Sequence, residues 1–147
     1  MKPILQALAI WASLTLLGGC VTPPPPTPEA LQAKRFEPVP GKAVIYLYRD
    51  AVNYTTVAAP IALNGNDVGA TFAGTFFRFV VDPGPQRISG TVADIGAIQF
   101  NVAANQIYFV QQTAIVTRTV NLMGTVYNMV GPATGRSRVS EYQFNGL

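Results

Sequence analysis

An all-β fold is predicted by this sequence: an antiparallel β-sandwich, immunoglobulin-like or transthyretin-like, of about seven strands. Short apolar segments alternate with a period of two, turn residues recur roughly every eight to twelve positions, and no segment has the periodicity of a helix of normal length. The composition agrees, because 49% of the 147 residues are apolar and only 12% are charged. Such a chain suits strands better than solvated surface helices.

The segment before the strands, residues 1–19, is predicted to be a signal-peptide helix. Its apolar run from Ile4 to Leu17 is shorter than the about 20 residues that cross a bilayer, but it has the length of a signal-peptide core. Leu17-Gly18-Gly19-Cys20 follows at once. This order, an aliphatic residue, two small residues and a cysteine, resembles the lipobox of bacterial lipoproteins. An ordinary signal peptide followed by an incidental cysteine is the alternative.

The lipobox resemblance implies that signal peptidase recognises Leu17, Gly18 and Gly19 and cuts before Cys20. It also implies a diacylglyceryl thioether on Cys20 and an acyl group on its amine. Two or more acyl chains give stable membrane anchoring. The next residue is Val21 and not aspartate, which in lipoprotein sorting implies the outer membrane, with the domain on the periplasmic side. The inner membrane and the cell surface remain alternatives.

Residues 20–40 are predicted to be the lipidated cysteine and a proline-rich linker. The run Pro23–Pro26 favours polyproline II and therefore a semi-rigid stalk. Thr27, Pro28 and Glu29 have the pattern of an N-cap, a first helical residue and an acidic first turn. A short helix up to Arg35 is therefore expected inside this segment.

Residues 41–147 are predicted to form the sandwich. Both faces of the segment Ala43–Arg49 are apolar or aromatic, so we expect a central strand with one face in the core. Asn64-Gly65 predicts a hairpin, and Asp82-Pro83-Gly84 predicts a turn. Further strands are expected at 55–63, 68–72, 75–81, 86–92, 97–103 and 106–113.

The last part of the chain gives a weaker pattern. Segments 114–120 and 125–130 both look extended, and Gly131-Pro132 interrupts the pattern. Residues 140–144 suit either a last strand or a short helix. The stretch from Gly135 to Arg138 is polar, and no helix of normal length is predicted, which argues against an α/β fold.

Several of these segments occur together in one known group of proteins. They are Gly41–Arg49, Leu63-Asn64-Gly65 with Val68-Gly69, Gly74-Thr75-Phe76-Phe77, and Pro83-Gly84. They resemble small Gram-negative lipoproteins that carry an uncharacterised β-sandwich domain, a domain-of-unknown-function family. The resemblance covers about residues 40–113, and Ala104-Asn105-Gln106 stands where the family commonly has Ala-Gly-Lys. It implies a fold and a location but no activity.

Most catalytic chemistry lacks its residues in this sequence. There is no histidine and only one cysteine, so triads that need a histidine base, Cys/His zinc sites and internal disulfides are excluded. A glycosidase would need two carboxylates across a cleft. The candidates after the linker are Asp50, Asp67, Asp82, Asp94 and Glu141. We expect no enzyme, no metal and no cofactor besides the covalent lipid.

The expected function is therefore a non-catalytic binding or structural module. The membrane is one predicted partner, through the lipid, and an envelope protein or a cell-wall component is another. Nucleic acid is not expected, because the basic residues are scattered and the net charge is only +3. One alternative is a small-ligand binder that uses a pocket or an aromatic face, and the other is an envelope hydrolase. The candidate face comprises Tyr46, Tyr48, Phe76 and Tyr108, although aromatic residues in sandwiches are usually core.

Overall fold

The computed structural model describes residues 25–52, 55–90, 96–117 and 122–146, and it confirms the all-β sandwich. The described part contains nine strands in two sheets and two short helices. In chain order the elements are α1 (Pro28–Ala33), β1 (Ala43–Arg49), β2 (Ala59–Leu63), β3 (Asn66–Thr71), β4 (Thr75–Val81), β5 (Gly84–Ser89), β6 (Ala97–Val102), β7 (Ile107–Thr117), β8 (Leu122–Val130), α2 (Pro132–Glu141) and β9 (Gln143–Phe144).

The larger sheet has the order β8-β7-β1-β4-β9, and the smaller sheet has the order β3-β2-β5-β6. Strand β1 is central, as expected, and it pairs antiparallel with β4 and parallel with β7. The pair β4–β9 is also parallel. The sandwich is thus rich in antiparallel pairs but not wholly antiparallel. The chain passes through the smaller sheet between β4 and β7, which supplies the long connection that a parallel pair requires.

The space between the sheets holds the main core. The inward residues of β1 are Ala43, Ile45 and Leu47, and they pack with Ile61 and Ile88 of the smaller sheet. Pro60 lies where β2 pairs only with β3, next to a register shift between Ile61 and Ala62, so it removes no bond from a central ladder.

The prediction that only one face of β1 is in the core was wrong, because the whole strand is buried. Its outward residues Val44, Tyr46 and Tyr48 form a second core with Ala33 of α1 and Val139 of α2. The two helices cover this outer face. The apolar character of both faces of β1 is thus explained by a third layer over part of the larger sheet.

The predicted short helix in the linker is present as α1. The Thr27 hydroxyl accepts from the Ala30 N–H at 3.2 Å and caps it, and Pro28 is its first residue. Ala33 is almost fully buried, and Lys34 Nζ donates to the Ser140 carbonyl at 2.9 Å. The second half of the segment predicted as a linker therefore packs on the domain, since α1 needs a partner to be stable at this length.

Helix α2 was missed by the sequence analysis. Pro132 was expected to interrupt an extended segment, but it is the first residue of the helix. The first helical position tolerates a residue without an N–H. Only Gly135 and Val139 of the helix are buried, so it has no apolar stripe that the sequence could display. Residues 114–117 continue β7, and the segment predicted as a last strand or helix provides the end of α2 and β9.

Candidate functional site

The residues predicted for processing and lipidation, Leu17, Gly18, Gly19 and Cys20, lie outside the described residues. Asn53, Tyr54 and Asp94 lie outside them as well. The candidate binding face and four of the five candidate carboxylates can be located.

The four aromatic residues of the predicted binding face do not share an exposed surface. Tyr46, Tyr48 and Phe76 are buried beneath the helices. Tyr108 is on the opposite side of the sheet, packs against the main core and has its ring 6.1 Å from that of Phe100. The Tyr46 hydroxyl donates to the Ala33 carbonyl at 2.6 Å, which ties α1 to the sheet. These residues serve as core in the structure, which was the alternative interpretation.

Burial perturbs the tyrosines of this second core. It raises the pKa of Tyr48 to about 12, with a smaller contribution from the negative charge of Asp50. Burial also raises the pKa of Tyr46 and of Tyr142. All three shifts favour the neutral phenol, so none of these tyrosines is prepared to act as a base near neutral pH.

Arg49, the last residue of β1, is fully buried. Its guanidinium donates to the carbonyls of Thr55, Val57 (2.7 Å) and Thr71 (3.4 Å), while its Nε–H has no acceptor among the described residues. No described carboxylate forms an ion pair with it, and burial lowers its pKa. Arg49 therefore holds the β1–β2 loop and the end of β3 together through backbone carbonyls.

The buried polar group continues from Arg49 across the interior. Gln112 lies beside Arg49 in the register of β1 and β7, and its Oε1 accepts from the Thr71 hydroxyl. The Gln112 amide donates to the Tyr127 hydroxyl at 3.3 Å. These polar side chains close one end of the sandwich interior. Since each finds a partner within the protein, they form a structural network and leave no open reactive group.

Asp50 is the best-connected carboxylate of the described residues. It accepts from the Tyr142 hydroxyl at 2.6 Å and from the Gln111 amide at 2.5 Å, and Arg138 Nε lies 3.8 Å away. Arg138 also lies 4.0 Å from Glu141. These contacts join the end of β1 to α2 and to the chain after it. The signal for this site in the sequence is the pair of opposite charges, Arg49 and Asp50, where an apolar strand ends.

Two other described carboxylates, Asp82 and Asp67, lie in contacts of their own. Asp82 forms an exposed ion pair of 2.7 Å with Lys42, at the end of the sandwich where β1 begins. Asp67 caps its own hairpin by accepting from the Gly69 N–H. No group of three or more metal-ligating side chains is found among the described residues. Of the candidate carboxylates, Asp50 and Glu141 share a partner, because Arg138 contacts both.

Three shallow grooves accompany the helices and the sheet edge. One of about 320 Å³ separates the end of the stalk, Pro25 and Pro26, from Tyr142 and Phe144. A second of about 260 Å³ lies between Phe36, Phe109 and Arg136. A third of about 280 Å³ lies at the β4 edge. All three are open and have few convergent polar groups, unlike an enclosed small-molecule site.

Together, the two packed sheets and the helical cover over β1 define a small β-sandwich domain. The model of the family described as "Protein of unknown function (DUF2846)" matches residues 40–126. The chain belongs to that family, which confirms the resemblance to an uncharacterised domain family. No curated protein matches the chain.

The family match extends past the expected limit at residue 113 and includes β1 to β7 and the first part of β8. Both helices lie outside it, although they cover the outer face of β1. Within the described residues, neither helix is long and apolar enough to cross a membrane.

Proposed function

We propose that this chain is a lipid-anchored envelope lipoprotein whose non-catalytic β-sandwich binds or supports another envelope component, a protein or a part of the cell wall. The observation that carries the proposal is Leu17-Gly18-Gly19-Cys20 at the end of an apolar run of signal-peptide length. The single cysteine adds support, because its thiol has no internal disulfide partner.

The arrangement after the cysteine is consistent with a tethered module. Prolines precede α1, and α1 is fixed to the domain by the Tyr46 and Lys34 bonds to Ala33 and Ser140. The stalk therefore ends on a packed helix and not on a free linker. Tethering raises the local concentration of the domain near membrane partners, so weak binding suffices for occupancy.

The proposal of a non-catalytic module rests on which acid–base residues the chain has and on what they contact. The chain has no histidine base. Asp67 and Asp82 are engaged in contacts of their own. Asp50 and Glu141 both contact Arg138, whose positive charge favours their ionised forms. A binding or structural role requires only exposed surface.

Replacing the cysteine tests the anchor. In Cys20→Ser cells, the chain should keep its leader and lack lipid, because neither thioether formation nor the cleavage that follows it is then available. Intact-protein mass spectrometry of membrane fractions measures both. Thr22→Ser, two residues further on, is the matched control and should mature like the wild type. A Cys20→Ser chain that is processed and sediments with the outer membrane as before would refute the proposal.

Replacing the next residue tests the membrane assignment. Val21→Asp should shift the mature protein from the outer to the inner membrane, since aspartate after the lipidated cysteine is a retention signal in the general sorting scheme. Val21→Ala is the control and should leave the distribution unchanged. Density-gradient separation of the two membranes gives the result, and an unchanged position of Val21→Asp would contradict outer-membrane sorting by this signal.

A further inference from the structure

Large apolar side chains are exposed on two neighbouring loops at one end of the sandwich. Val52 is 95% exposed, Val57 54% and Phe72 48%. The first two belong to the β1–β2 loop and the third to the β3–β4 loop. These three residues are called the apolar tip. Leu31, Val80 and Met129 are exposed elsewhere, and single exposed apolar residues are normal. The apolar tip differs because its residues share two adjacent loops, and a shared apolar surface marks an interaction site.

Hydrogen bonds hold the two loops against each other. The buried Arg49 guanidinium donates to the carbonyl of Val57 in the β1–β2 loop and to that of Thr71, the last residue of β3, directly before Phe72. The Gly74 N–H also donates to the Arg49 carbonyl at 3.0 Å. A buried cation therefore holds the backbone at Val57 and directly before Phe72.

The stalk reaches the domain at this same end. Pro25 and Pro26 line a groove with Tyr142 and Gln143. Gln143 pairs with Thr75, and Thr75 pairs with Arg49, the residue that supports the apolar tip. The Tyr142 hydroxyl also binds Asp50, two positions before Val52. The stalk and the apolar tip thus lie at the end of the sandwich where β1 stops.

Further exposed apolar residues lie toward the same end. Strand β7 continues beyond Gln112, the partner of Arg49, and this extension with β8 carries Ile115 and Val126, which are 40% and 49% exposed. The loop segments 51–58 and 72–74 contain no Asp, Glu, Lys or Arg. An uncharged and apolar surface of this kind suits the boundary between water and hydrocarbon.

We propose that the apolar tip rests on the lipid bilayer that holds the Cys20 anchor, so that the domain stands on the membrane in one orientation. This inference rests on the proposed function. Cys20 precedes Pro25 by five residues, a span of at most about 18 Å. A domain of about 120 residues is roughly 35 Å across. The tether is shorter than the domain, so the end that carries the stalk is the end that meets the membrane.

A site-specific label tests the orientation. The lipidated full-length protein is placed in phosphatidylethanolamine/phosphatidylglycerol vesicles after Val52→Cys, and the new thiol receives an environment-sensitive fluorophore. The control is Asp82→Cys, because Asp82 is an exposed turn residue at the opposite end of the sandwich. A nitroxide lipid should quench the label at position 52 and shift its emission to the blue, whereas the label at 82 should respond only to a water-soluble quencher.

The outcomes separate this inference from the proposed function. If the wild-type chain takes up the thiol label, Cys20 is free and the lipoprotein assignment fails first. If Cys20 is blocked but the labels at 52 and 82 are equally open to the water-soluble quencher, the bilayer contact is refuted. A label at 52 that is shielded from water but not quenched by the lipid would assign the apolar tip to a protein partner or a second copy and would also overturn the inference.

Discussion

Gly135 offers the sharpest test of how α2 packs on the sheet. A methyl group added at this buried helical residue would lie 2.2 Å from Cγ and 2.5 Å from Cβ of Phe109. Those atoms are close to the backbone of β7, so the ring cannot simply rotate away. Gly135→Ala should therefore force the helix off the sheet, although alanine is the better helix former.

The magnitude follows from the overlap. Carbon atoms pack at about 3.5–4.0 Å, so the helix must move by more than 1 Å to accept the methyl group. A gap of that size loses up to about half of the van der Waals energy of each contact between the helix and the sheet. Val139, fully buried on the same helix, would lose about 1 kcal/mol of its burial. Overpacking adds about 1–3 kcal/mol, and helix propensity returns about 1 kcal/mol. The free energy of unfolding should fall by about 1–3 kcal/mol.

Urea and thermal denaturation followed by circular dichroism measure this loss. The midpoint temperature should fall by roughly 4 °C for each kcal/mol in a domain of about this size. Ser137→Ala is the matched control, because Ser137 is exposed on the same helix and its change should be neutral or slightly stabilising. If Gly135→Ala is as stable as this control, α2 does not lie against Phe109 as described.

Two further predictions concern buried polar groups. The pKa of Tyr48 is about 12 in the folded state and about 10 in the unfolded chain. The neutral phenol therefore contributes its full stabilisation below pH 10, and this stabilisation is lost as the pH rises from 10 to 12. In denaturant titrations, the free energy of unfolding of Tyr48→Phe should fall by roughly 2–3 kcal/mol less over this pH range than that of the wild type. An equal fall in both proteins would contradict the prediction. Arg49→Met should cost about 2 kcal/mol and expose the β1–β2 loop to proteases, because buried carbonyls lose their donor. The exposed Arg87→Met is its control, and equal digestion of both variants would show that Arg49 does not hold the loop.

The strands were the part of the fold that local sequence could predict. Strand β4 was predicted over residues 75–81 and is found over Thr75–Val81, because its alternation and its turns are all local. The hairpin at Asn64-Gly65 is confirmed by positive φ at both residues. The capped start of α1 at Thr27 was predictable for the same reason, since an N-cap is formed within four residues.

The helical layer was not predictable in this way. Helix α2 buries only two residues, and one of them is a glycine, whose value lies in letting the helix approach Phe109. A pattern of apolar residues does not show where a glycine allows such a close approach. The sequence did carry an indirect sign, because Val44, Tyr46 and Tyr48 are as apolar as Ile45 and Leu47 across the strand. A strand with two apolar faces needs another element packed on each face. The sequence of β1 therefore indicates a third layer over the larger sheet.

The same reasoning connects Arg49 with the surface that it supports. A buried arginine without a carboxylate is costly, and an apolar residue of similar volume would avoid the desolvation. What the arginine provides is several donors in a fixed plane, which join the β1–β2 loop at Val57 to the end of β3 at Thr71. If only stability were required, the loops could shorten and turn Val52 and Phe72 inward. Their exposure at the stalk end suits a contact with something apolar, and the proposed lipid anchor on Cys20 would bring a bilayer to this end.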